Sequence, residues 1–125
     1  MNEDEFSFQN LKWTVQALAA SAEDQVHLYP SFTCPACELL SDFDNWYRAT
    51  VWRESIEITI EQLKALDAIQ AHIESMDETP CFSTAALRNR EDWLHLRNTA
   101  SKCLSAFDWD LALPPEGRSQ YIKGG

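Results

Sequence analysis

"ESIEITIEQLKALDAIQAHIESM", residues 54–76, holds two secondary-structure periods in one stretch. Its first five residues, Glu54-Ser55-Ile56-Glu57-Ile58, alternate polar with apolar, as a short strand would. From Thr59 the pattern changes. Thr59 is a good helix cap, and Gln62 stands three residues on, as a capping box requires. Ile58 and Leu63 fill the two positions of a hydrophobic staple around that cap. Leu66, Ile69, Ile73 and Met76 then recur at helical spacing and form one apolar stripe. The spacing predicts a helix from residue 60 to about 77, stopped by Asp77-Glu78-Thr79-Pro80, with at most a brief extended piece before it.

The same period recurs on both sides. Upstream, Leu40, Phe43, Tyr47 and Val51 make a stripe on a helix expected over about 35–53. Leu11, Val15, Leu18 and Ala22 do so over about 6–21, with Glu3, Asp4 and Glu5 before or within its first turn. Ser21-Ala22-Glu23-Asp24 is expected to end that helix. Val26-His27-Leu28-Tyr29-Pro30 reads as an extended connector or one short strand. Downstream, Ser83 or Thr84 caps a short helical turn through Arg88, and Asn89 is the expected cap of the next helix. Trp93, Leu96, Ala100, Cys103 and Phe107 carry that helix to about residue 107. The tail, 108–125, reads as irregular, docked by Trp109, Leu111 and Tyr121. Only 3 Gly and 5 Pro occur in 125 residues, which disfavours a many-stranded fold. The expectation is all-α: one domain over 1–125, a bundle of about four main helices with its core in 6–107. A chain of this length buries roughly two thirds of its unfolded surface and needs no staple to fold.

The net charge is -10 at pH 7. Residues 1–62 hold 11 acidic and 3 basic side chains, and residues 63–125 hold 9 and 7, so the negative field is concentrated in the first half. Such a field repels phosphate backbones, which argues against nucleic acid and anionic membranes and in favour of a basic protein partner. Acidity also serves simple solubility. The N-terminal MNEDEFSF has no basic, apolar leader, and no run approaches the ~18 apolar residues of a spanning helix. A cytoplasmic location is expected, where thiols stay mostly reduced, so four cysteines do not imply two disulfides.

Cys34-Pro35-Ala36-Cys37 is the motif with the most chemical content. Proline fits the first turn of a helix, where its missing N–H is not needed. Cys34 then falls at the cap, where a helix N-terminus favours a nucleophilic thiolate. With residues 26–32 as a leading strand, and with Thr79-Pro80 downstream, this resembles the thioredoxin and glutaredoxin arrangement. That resemblance implies Cys34 as attacking thiol and Cys37 as resolver. The chain departs from it after Pro80, where Cys81-Phe82-Ser83-Thr84-Ala85-Ala86-Leu87-Arg88 reads as helix. Residues 53–58 are the only candidate for a middle strand, and Glu38, Asp42 and Asp44 oppose a thiolate. A small structural zinc site is a further alternative. It needs four ligands, whereas Cys81, Cys103, His27, His72 and His95 are all scattered.

Glu38 and Asp42 share a helix face, but no HExxH, GxSxG or glycine-rich phosphate loop accompanies them. No metal ligand set, cofactor or catalytic residue is therefore assigned. Trp93 lies on a stripe and is expected in the core. Trp46 and Trp52 lie beside one, among Asp42, Asp44 and Glu54, a composition suited to a protein-binding surface.

Two stretches, "LYPSFTCPACELLSDFDNWYRA" (28–49) and "STAALRNREDWLHLRNTASKCLSAFDW" (83–109), resemble a group of short bacterial proteins, over roughly residues 10–107. The aromatic–proline stretch and the acidic, aromatic second helix are what recur there, which makes Cys37 incidental. Size, helicity and charge are similar to those of bacterial immunity or antitoxin-type proteins, which mask a basic partner. The resemblance implies a small acidic protein without catalytic activity that binds a basic protein. The expected contact face is the second helix and its approaches: Asp42, Asp44, Trp46, Glu54 and Glu57.

Overall fold

The computed structural model describes residues 2–30, 32–76, 81–112 and 114. Among these the regular structure is six helices with no strand. The all-α expectation holds, and the departures from it are local.

Helix α1 runs Glu3–Ala19, three residues earlier than its apolar stripe suggests. Asn2 caps it by accepting the Glu5 N–H at 2.8 Å, so Glu3, Asp4 and Glu5 form the whole first turn, where negative charge meets the positive helix end. Ser21 does not close α1. It opens α2, Ala22–His27, by accepting the Asp24 N–H, and the extended piece expected over residues 26–30 is absent. A serine followed by two acids is itself a helix-start signal, and here it outweighs the β-branched Val26.

Helix α3 covers Pro35–Val51, and residues 52–59 form turns and irregular chain rather than the alternating strand. Helix α4 covers Ile60–Ser75 and starts with both hydrogen bonds of the capping box between Thr59 and Gln62. Helix α5, Thr84–Asn89, is capped by Ser83. Helix α6, Glu91–Ala106, is entered from Arg90 without a side-chain cap. Asn89 is not its cap, because that side chain turns back to donate to the Ala85 carbonyl. Residues 77–80 and Tyr121 lie outside the described residues, so the Thr79-Pro80 stop and the docking of Tyr121 are left aside.

Helix α1 packs against α3 and α6, and α4 lies on α6. Leu11, Val15 and Leu18 meet Leu39 and Phe43 of α3 and Trp93, Leu96, Ala100 and Cys103 of α6 in one buried core. Trp93 also satisfies its polar atom there, with its indole N–H donating to the Cys81 carbonyl at 2.9 Å. Gln25, wholly buried, joins the ends of several helices. Its amide N–H groups donate to the Ala17 and Leu18 carbonyls, and its oxygen accepts from Arg97 Nε at 3.0 Å. Arg97 in turn donates to the Leu87 carbonyl. After α6 the chain turns at Asp108, at φ 56°. The Trp109 N–H returns to Leu104 and the Asp108 N–H to Ser105, the two bonds of a Schellman closure. Trp109 then stacks on Phe107 with ring centroids 4.1 Å apart, while Leu111 stays exposed.

Candidate functional site

Two places concentrate the residues singled out from the sequence. They are the start of α3 and the end of the bundle where α3 gives way to α4.

At the start of α3, Cys34 is the cap residue and Pro35 is buried in the first turn. Cys34 Sγ accepts the Cys37 N–H at 3.2 Å. The two cysteines are joined as a disulfide across Cα atoms 5.3 Å apart. Both are half-buried, and Cys34 Sγ lies 4.0 Å from the Phe82 carbonyl oxygen. The flanking Thr33 and Pro35 line an open hollow of about 380 Å³, together with Val26, His27, Tyr29 and Arg88. Cys81, the residue before Phe82, and Cys103 are buried free thiols. Burial pushes the Cys103 thiol up to about 12, and burial together with the Asp92 carboxylate raises that of Cys81.

The thioredoxin-like arrangement is not what surrounds this pair. Helix α2 takes residues 26 and 27 of the expected leading strand and the chain turns at 28 and 29, residues 53–58 are turns and irregular chain, and α5 follows Ser83. The zinc alternative finds no ligand set either, since no three His, Cys, Asp or Glu among the described residues are grouped to hold a metal ion. His72 and His95 approach with ring centroids 6.3 Å apart, and His72 Nε2 lies 2.9 Å from the Asp92 carbonyl oxygen. These are tertiary ties between α4 and α6.

The expected contact residues divide into two groups. Asp42 and Trp46 are partly buried, and Asp44, 44% exposed at its side chain, pairs with a neighbour on its own helix. Asp42 accepts from the Tyr29 hydroxyl at 2.9 Å. Asp44 accepts from Arg48 Nε at 2.9 Å and from Gln70. Trp46 is half-buried, edge-on to Phe6 at 5.4 Å, and its indole N–H meets no acceptor among the described residues. Glu54 and Glu57, by contrast, are exposed on the turns leading to α4.

Around Glu54 and Glu57 the structure adds residues that the stripes do not reveal. Trp52 is 72% exposed, with the Arg48 guanidinium 5.5 Å over its ring. Ile60, the first residue of α4, is 74% exposed, and Phe6 is 48% exposed. The start of α1 lies beside this connection, because Arg53 reaches Glu3 and Asp4 and the Ser55 hydroxyl donates to Asp4. Residues 3–5 and 52–61 thus bring six carboxylates and one cation, Arg53, to one end of the bundle. Ile60 and Phe6 were legible only as apolar residues off their helices' stripes, which is the one local sign of an exposed apolar side chain.

Fold and site together define an all-helical protein with an acidic, partly apolar end and a cysteine pair at a helix start. The chain matches no family model, no curated protein and no solved structure. No helix among the described residues is long and apolar enough to cross a membrane.

Proposed function

We propose that this is a small acidic protein without catalytic activity that binds a basic protein, in the manner of bacterial immunity or antitoxin-type proteins, in the cytoplasm. The observation that carries the reading is the end of the bundle formed by residues 3–6 and 52–61. There Trp52, Ile60 and Phe6 present apolar surface among Glu54, Glu57 and Glu61. Aromatic and aliphatic anchors inside a rim of one charge sign suit a steered, specific contact: the field draws the partner in and the desolvated rings hold it. Asp42 and Asp44 recede from the contact face in this reading, because each already serves a partner inside the molecule. Resemblance to short acidic bacterial proteins points the same way.

The test is affinity capture from the native host at low and moderate salt, comparing the wild type with Trp52→Ala and Ile60→Asp. A basic protein should be retained by the wild type, weakened by salt and lost from both variants. Recovery of no basic protein, or equal recovery by all three, removes the reading.

A further inference from the structure

We propose that Cys34 and Cys37 are a redox-active couple that exchanges an electron pair with a dithiol of a partner protein. The bond between them is a poor structural staple. It joins residues three apart, so it removes little freedom from the unfolded chain. The helix start it spans is already fixed by Pro35 and by the cap hydrogen bond. The molecule has an extensive core and no need of a cross-link to fold.

The distribution of sulfur points the same way. The two other thiols are buried and hard to ionise, which removes them from exchange. The bonded pair alone keeps part of its surface exposed. Cys34 Sγ sits at the positive end of a 17-residue helix and faces the Cys37 N–H, a place that holds negative charge on sulfur. Glu38, in the same first turn, opposes that charge. Thr33 and Pro35, the sequence neighbours of Cys34, line an open hollow of which neither cysteine is itself a wall.

The exchange balances as follows. A partner thiolate attacks Cys34 Sγ, the Cys34–Cys37 bond breaks, and Cys37 leaves as a thiolate that takes a proton from water. The partner's second thiolate then attacks the partner sulfur of the mixed disulfide and displaces Cys34 Sγ. The partner dithiol is oxidised to a disulfide, and Cys34 and Cys37 are reduced by two electrons.

The proposal is independent of the binding face and is tested without any partner. The oxidised full-length protein is mixed with dithiothreitol at neutral pH, and the free thiols are trapped by alkylation and mapped by mass spectrometry. Reduction at Cys34 and Cys37 should run at least ~10-fold faster than that of glutathione disulfide under the same conditions. The reduced protein should re-form the same bond in a buffer of reduced and oxidised glutathione, and Cys37→Ser should accumulate a glutathione adduct on Cys34. Reduction slower than that margin, or a pair that stays as thiols in the glutathione buffer, overturns the proposal. The kinetic comparison needs only the wild type, so a poorly folded variant does not blunt it.

Discussion

Tyr47 shows how one residue on a helix face acquires a property its sequence neighbours do not suggest. Its hydroxyl donates to Asp67 on α4, and burial, that hydrogen bond and the charges of Asp67 and Glu74 raise its pKa from 10.0 to about 12. The protonated phenol is therefore favoured in the folded state. Its contribution to stability is whole below pH 10 and is lost as pH rises through about 12. Cys103 behaves in the same sense, raised by burial from 9.0 to about 12. The urea midpoint should fall between pH 10 and 12, and the fall should be shallower in Tyr47→Phe. Parallel curves for the two proteins contradict the assignment. The stripe position of Tyr47 was legible from its spacing to Phe43 and Val51. Its bond to Asp67 was not, because the partner stands 20 residues away on another helix. Trp46 is similar: the sequence shows an aromatic among acids, and its half-burial comes from tertiary packing against the core, with Phe6 edge-on to its ring.

At the scale of elements, the signals that succeeded are those made by a side chain and a backbone group within one turn. Thr59 and Cys34 cap helices as expected, and of the two candidates Ser83 and Thr84 it is Ser83 that caps. The failures lie where two starts compete. The α1 stripe runs to Ala22 and places the helix end at Ser21–Asp24, yet Ser21 caps α2. Asn89 is a good cap by residue type, yet it stays inside α5 and leaves Arg90 to open α6. The end of α6 has its own local cost. Asp108 takes the left-handed conformation that the Schellman closure needs, a conformation glycine adopts without steric penalty. Asp108→Gly should raise stability by ~0.5–1 kcal/mol, read as a higher urea midpoint at unchanged slope. A lower midpoint shows that the Asp108 side chain contributes something the backbone account omits.

Across the whole molecule, cohesion depends on a few ties between distant segments, and Gln25 is the clearest. It satisfies the exposed carbonyl end of α1 and the Arg97 guanidinium at once, in a site closed to water. Gln25→Ala removes three hydrogen bonds from a buried position, leaves the Leu18 carbonyl without its side-chain donor, and should cost ~2–4 kcal/mol in urea unfolding, well beyond a surface change. A loss near zero means that water or a rearrangement takes over the role. The same scale governs the acidic end, where two separated segments supply Phe6, Trp52, Ile60 and their carboxylates. By itself the sequence determined what is periodic or local: helix class, the core stripes, the caps at Cys34 and Thr59, and the negative charge. These depend on spacing within a few residues, where backbone geometry is fixed. The tertiary structure alone decided which acids are spent on internal hydrogen bonds and which face outward. It also decided which tryptophan is exposed and that Cys34 and Cys37 are bonded. Those outcomes depend on which helix faces meet, and contacts between residues far apart in sequence leave no mark in a local pattern.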